Sequence, residues 1–312
     1  MSTIKELGPR IDAGQTEFKR KCRKLQAFYR EVFLKEKCGR GPRENDDPLA
    51  SMIQNGEKTG KNFLTKEIYD HVKKRLKNQK SYETFDEYRL YNNMLSSQPL
   101  CFNLFVPLKN SLETYPELSE KTFKEIFPDL NIKTIDKIEI EYIPDYYEEL
   151  INDKTAFDAF IEYTDEENQK GIIGIETKYT EKLGDNIGKN TEINFDFNNI
   201  FTEKALNKFK RGECDQLTRN ILLTESYRTY NNFDQSLSIV LSPKKNKFTN
   251  QEIEDFSDNF INQEIEKKKL RKIDLETFTE TAKNSFNQEY YSVWINNFYN
   301  RYLNFDLLDI LK

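Results

Sequence analysis

A chain of 312 residues is long enough to bury one large core or two modest ones, and 37% hydrophobic against 32% charged residues is polar but still globular. Four scattered cysteines (Cys22, Cys38, Cys101 and Cys214) and one histidine, His71, exclude a Cys/His zinc site and any triad that needs several histidines, so a metal here must be held mainly by oxygens, which suits Mg2+ or Mn2+. The net charge of −5 is unevenly spread: residues 1–43 carry twelve Lys/Arg against five Asp/Glu, leaving −12 for the remainder, a basic arm on an acidic body that fits a nucleic-acid enzyme and equally a solvated helix face.

Residues 14–37 read as a helix, with Phe18, Cys22, Leu25, Tyr29, Val32 and Phe33 near a 3.6-residue spacing. Cys38-Gly39-Arg40-Gly41-Pro42 ends it, and residues 45–60 read as loop around a short helical turn. The next helix runs from Asn62 to Asn78, with Phe63, Ile68, Val72 and Leu76 on one face; His71, beside Lys73 and Lys74, reads as a surface residue. Tyr82 to Phe105 is expected as a longer helix broken near Pro99. In it Ser97, Gln98 and Asn103 lie among apolar neighbours and need partners, in a core network or in a site. Pro107-Leu108 closes that segment, and an amphipathic helix over 116–127 ends at Pro128.

At 134–144 the period changes to two, with Ile138, Ile140 and Tyr142 alternating with Glu139 and Glu141, and Pro144 stops the strand. A second strand over 155–163 puts Phe157, Ala159, Ile161 and Tyr163 on one face and Asp158, Phe160 and Glu162 on the other. A turn leads to Gly171-Ile172-Ile173-Gly174-Ile175-Glu176-Thr177-Lys178-Tyr179, where Ile172, Gly174, Glu176 and Lys178 share a face. A Glu and a Lys on so apolar a strand need a reason, because unpaired buried charge is expensive. They sit about 7 Å apart along the strand, close enough to share a ligand without being forced into a hydrogen bond. A salt-bridged pair at a sheet edge is the plainer reading. Residues 134–179 thus form a three-stranded meander. A loop, a helix from Asn199 to Phe209, and a helix from Glu213 to Tyr227 follow; on the last, Gln216 and Asn220 are adjacent at i and i+4. Ser236 to Ser242 is an apolar strand, and the tail from Thr249 reads as helical, charged, and then aromatic at Tyr290, Tyr291, Trp294, Phe298, Tyr299 and Tyr302.

Helix, three antiparallel strands, helix, strand, with Asp158 on the second strand and Glu176-Thr177-Lys178 on the third, resembles the layout of the PD-(D/E)XK nuclease superfamily. The tripeptide alone is weak, since Glu266-Lys267-Lys268 fits it too in a charged helix; the apolar strand around Glu176 and the Asp among aromatics discriminate. Ser96-Ser97-Gln98 with Cys101 to Phe105, Glu141-Tyr142-Ile143-Pro144, Thr155 to Asp158, Ile175 to Glu181 and Asp215 to Asn220 extend the resemblance to the restriction-endonuclease-like proteins named for a PGN_0703 prototype. It spans residues 60–245.

The resemblance implies an α/β fold (α+β mixed sheet) with a restriction-endonuclease-like core, α-β-β-β-α-β, and helical additions at both ends. The expected division is a basic helical arm over 1–60, the nuclease core over 61–245 and a helical extension over 246–312. Asp158, Glu176 and the Thr177 carbonyl would hold a hard cation that polarises the scissile phosphate and acidifies water, and Lys178 would orient that water and offset charge on phosphorus. Gln216 matches a helix position that often supports the site, and Phe157 stands where the superfamily name has Pro. Gln98 fits the family motif better than Glu87 as a contribution from the first helix. Glu141 is a further candidate ligand or a solvated strand face, Glu181 a candidate for a second metal, and Arg219 a phosphate contact or a surface salt bridge.

The function expected is Mg2+-dependent (or Mn2+-dependent) hydrolysis of DNA by an endonuclease in bacterial defence or restriction, with a homodimer or a defence-complex partner. The alternatives are an RNase or a nuclease for branched structures on the same fold, and a non-catalytic nucleic-acid- or protein-binding subunit. No apolar run approaches 18 residues and the start lacks an apolar signal core, so a soluble, cytoplasmic chain without membrane contact is expected. The lack of a P-loop predicts no nucleotide cofactor.

Overall fold

Helix signals read from periodicity give helices in the computed structural model, which describes residues 7–43, 45–184 and 191–311. In chain order the elements are α1 (Glu17–Phe28, prolonged by a π-helical turn, Tyr29–Leu34), α2 (Gly56–Thr59), α3 (Lys66–Lys77), α4 (Glu87–Asn92), α5 (Ser97–Thr114), α6 (Pro116–Ile126), β1 (Ile132–Tyr142), α7 (Tyr147–Leu150), β2 (Phe157–Asp165), β3 (Lys170–Thr177), α8 (Glu203–Lys210), α9 (Gln216–Tyr230), β4 (Gln235–Ser242), α10 (Lys247–Ser257), α11 (Gln263–Lys269), β5 (Leu270–Asp274), α12 (Leu275–Ser285) and α13 (Glu289–Tyr302). They fall into two units, Met1–Pro107 with Ala282–Lys312, and Leu108–Thr281. These limits differ from divisions at 60/61 and 245/246. Among the described residues no helix is long and apolar enough to cross a membrane.

In the first unit Leu25, Ala27 and Phe28 of α1 pack with Leu7, Ile11, Ala50 and Leu308. Arg30 is buried and donates to the Ala50 and Leu7 carbonyls at 3.1 and 2.6 Å, and Arg23 is buried as well. Part of the positive charge of residues 1–43 is therefore internal and does not lie on an open face. Two prolines behave differently from the sequence expectation. Pro99 lies in the first turn of α5, where a missing N–H costs nothing. Pro107 lies inside the same helix. It leaves the Asn103 carbonyl four residues back without its helical donor, and the Trp294 indole N–H donates to that carbonyl at 2.7 Å. The chain breaks instead between α4 and α5, around Asn93. Asn103 belongs to a core network: its Oδ1 accepts from the Leu64 amide and its Nδ2 donates to the Asn62 carbonyl and the Tyr302 hydroxyl.

In the second unit the strands form a five-stranded mixed sheet in the order β1-β2-β3-β4-β5. The meander is antiparallel, Ile140 opposite Ala159 and Ala159 opposite Ile175; β4 and β5 then add in parallel, with Glu176 beside Val240. Asp165 tightens the β2–β3 turn by accepting from the Glu167 and Gln169 amides. The helix, meander, helix and strand expected from sequence are present, in an α/β architecture. Helix α9 lies on one sheet face, where Leu217 and Ile221 pack with Phe160, Ile172 and Val240. Gly174 permits that approach: a Cβ there would come within 2.6 Å of Thr224 Oγ1 and 2.7 Å of the Phe157 ring. The tail is not wholly helical. Strand β5, Leu270-Arg271-Lys272-Ile273-Asp274, buries only Leu270, and Arg271 pairs with Asp129 at 2.5 Å; a charged edge strand of this kind has no apolar alternation to read.

Candidate active site

The β2–β3 register, with Ala159 opposite Ile175, sets Asp158 and Glu176 at the next position of each neighbouring strand. The alternation expected along β2 does not hold at its start, where Phe157 packs with Phe160 and the α9 residues and not on the opposite face. Strand β3 is buried from Gly171 to Thr177, and Glu176 keeps only 3% of its surface. A carboxylate so buried needs donors, and it has three. Lys178 Nζ and Gln216 Nε2 donate to Oε1 at 2.5 and 2.7 Å, and Asn220 Nδ2 donates to Oε2 at 2.6 Å. Asp158, half-buried, accepts on Oδ2 from both the amide and the hydroxyl of Thr177 at 2.7 Å. The amide and carbonyl of one strand residue point to the same edge, so the Thr177 carbonyl lies on the Asp158 side of β3.

Helix α9 brings its donors by spacing. Asp215 caps it, accepting from the Thr218 amide at 2.8 Å, which starts the helix so that Gln216 and Asn220, four residues apart, both face β3. Sequence reasoning singled out Gln216 and gave Asn220 no role, although the i, i+4 spacing was the signal that could have found it.

Burial, and then the charge of Glu176, push the Asp158 carboxyl up to about 7, with Lys178 and the Thr177 donors working the other way. Burial works against the Lys178 ammonium, but the Glu176 and Asp158 carboxylates outweigh it and raise its pKa. The three groups are thus near enough for the charge of each to act on the others, with Lys178 hydrogen-bonded to Glu176. Among the described residues no three Asp, Glu, His or Cys side chains converge to hold a metal; the set expected from sequence is two carboxylates with a backbone oxygen. That set fits a hard cation.

The other residues singled out from sequence are placed differently. Glu181 Oε2 accepts from the Tyr179 and Thr180 amides at 3.0 and 2.8 Å, closing the turn after β3. Arg219 donates to Thr155 Oγ1 and the Cys214 carbonyl, both at 3.0 Å, and lies 3.7 Å from Asp153; Asp153 was not foreseen as its partner. Glu141 is half-buried on β1 between the Ile140–Ala159 and Tyr142–Phe157 pairs, with a left-handed φ of 53° that interrupts the strand's alternation. Gln98 is on the first turn of α5, in the other unit.

The search of curated proteins and that of solved structures each find no match. The family model described as the PD-(D/E)XK nuclease superfamily matches residues 13–304, nearly the whole chain, taking in β2, β3 and α9 together with helices of both units. With a mixed sheet in the expected order and its acidic pair on adjoining strands, the chain belongs to the PD-(D/E)XK nuclease superfamily.

Proposed function

We propose that this nuclease is a metal-dependent endonuclease that hydrolyses the phosphodiester bonds of DNA, with Mg2+ or Mn2+ as its ion. The observation that supports the reading is that Asp158 on β2 lies close enough to Glu176 and Lys178 on the next strand for their charges to act on it, with Lys178 hydrogen-bonded to Glu176. Asp158, Glu176 and the Thr177 carbonyl would hold the ion. When bound, it supplies a Lewis acid to the scissile phosphate and acidifies nearby water.

The chain's own groups do the rest. Asp158 would be held ionised beside a bound cation, because an adjoining positive charge reverses the cost of ionising beside Glu176. Lys178, kept as an ammonium, directs its N–H donors at the oxygens on which negative charge grows as water attacks phosphorus. Gln216 and Asn220 hold the Glu176 carboxylate in one orientation, so it does not reorganise during the reaction. A single site per chain cuts one strand at a time, so a double-strand break takes two copies or two successive nicks. A role in bacterial defence or restriction is part of this reading and rests on the family resemblance.

The test is cleavage of supercoiled plasmid, single-stranded DNA, RNA and branched DNA by the purified chain with Mg2+, Mn2+ or EDTA. The reading predicts nicking of DNA with either ion and none with EDTA. Cleavage confined to RNA or branched substrates would move the substrate class, and activity unchanged in EDTA would overturn the mechanism.

A further inference from the structure

Asn220 does more than fill the space beside Glu176. It is 7% exposed, and its amide orientation is dictated by its neighbour: a carboxylate only accepts, so Nδ2 faces Glu176 Oε2 at 2.6 Å and Oδ1 points away. That Oδ1 accepts no hydrogen bond from the described residues. Ser238 Oγ, on β4 beside Gly174 and 4% exposed, has no partner among them either. Both residues, with Glu176 and Gly174, line a cavity of about 10 Å3. Its wall is otherwise mostly apolar, with Phe157, Leu217 and Leu270 among the lining residues, and a space of this size holds at most one water, for which Asn220 and Ser238 are the unpaired polar partners. Two buried polar atoms left unpaired would each cost folding free energy that one shared water recovers.

We infer that a buried water bridging Asn220 Oδ1 and Ser238 Oγ fixes the Asn220 amide, and through it the position in which Asn220 holds Glu176. The link runs from β4 through the water and Asn220 to the Glu176 carboxylate, so a strand with no acidic residue at the site helps aim one of the two carboxylates. The positioning role matters for catalysis only on the nuclease reading; the water and the orientation of Glu176 stand apart from it.

The experiment is a pair of crystal structures, wild type and Asn220→Leu, at a resolution that shows ordered water, together with Ca2+ titration calorimetry. The wild type is expected to show a water within hydrogen-bond distance of Asn220 Oδ1 and Ser238 Oγ. Asn220→Leu is expected to release the Glu176 carboxylate into a second orientation and to weaken Ca2+ binding about 10–100-fold. Ser238→Ala, a smaller change that carries the test if the leucine variant does not fold, is expected to weaken it about fivefold, the loss of one hydrogen bond. A wild-type map with no water in the cavity would overturn the bridge. Unmoved Glu176 with unchanged Ca2+ affinity in both variants would overturn the positioning role. If the wild type itself binds no Ca2+, the metal reading fails, and the orientation of Glu176 in the two maps still decides the role of Asn220.

Discussion

Lys178 Nζ donates to Glu176 Oε1 at 2.5 Å although a single residue separates the two in sequence. Strand geometry alone leaves them about 7 Å apart; the lysine folds back because it is 8% exposed and has two carboxylates to satisfy. Glu176→Gln and Lys178→Met are therefore predicted to keep the fold and to lower DNA cleavage by at least about 10^2–10^3-fold, the usual cost of removing one group that stabilises transition-state charge. Asp158→Ala should do the same. Rates measured beside thermal melts check this, and wild-type rates in any of the three would remove that residue from the reaction.

Metal binding should follow the titration of Asp158. Its carboxyl stands at about 7 through burial and the charge of Glu176, so a cation must displace a proton below that pH. Ca2+ affinity is expected to rise about tenfold between pH 6 and pH 8, with a proton released on binding at pH 6 and none at pH 8. Calorimetry in buffers of different ionisation enthalpy measures both, and a pH-independent affinity would contradict the coupling.

The same shift has a consequence for stability without metal. Asp158 binds its proton more tightly in the folded chain than unfolded, so its contribution is fully present below about pH 4 and is lost as pH rises through about 7. Asp158→Asn keeps an oxygen for the Thr177 donors and cannot ionise. It is predicted to match the wild type near pH 4 and to exceed it by about 1–3 kcal/mol at pH 8, as chemical denaturation in EDTA would show.

Gly174→Ala is expected to destabilise the chain by about 1–3 kcal/mol, because its Cβ would press on Thr224 Oγ1 and the Phe157 ring. An unchanged denaturation midpoint would contradict the close seating of α9 on β3.

Deleting residues 1–43 is a poor probe of the basic arm, since Leu25, Phe28 and Arg30 are part of the first unit's interior. Replacing the exposed Lys35, Lys37, Arg40 and Arg43 by Ala leaves that interior intact. If they meet phosphates, the slope of log affinity for DNA against log salt should flatten by about 0.9 for each phosphate no longer neutralised; an identical slope would remove these side chains from the interface.

Much of the fold was legible because its periods are clean. Ile138 to Tyr142 and the isoleucines of β3 announce strands, and the meander follows from their alternation, although Phe157 packs with Phe160 against the alternation expected of β2. The rest depended on residues distant in sequence. Pro107 looks like a helix end until Trp294 is seen taking the stranded Asn103 carbonyl. Strand β5 carries Arg271, Lys272 and Asp274 and reads as charged tail, because an edge strand bound through its backbone needs no apolar face. At the site, Gln216 was legible by resemblance, whereas Asn220 needed the helix docked on the sheet to show which carboxylate oxygen it meets. Arg219 has Asp153 and Thr155 beside it, partners more than sixty residues away that the sequence alone does not pair with it.

The central claim is that Asp158, Glu176 and the Thr177 carbonyl hold one divalent cation. A crystal structure of the chain soaked in Mn2+, with anomalous diffraction recorded, tests it most directly. The account predicts a single anomalous peak in contact with both carboxylates and the Thr177 oxygen; a peak elsewhere, with these three oxygens bound only to protein, would contradict it.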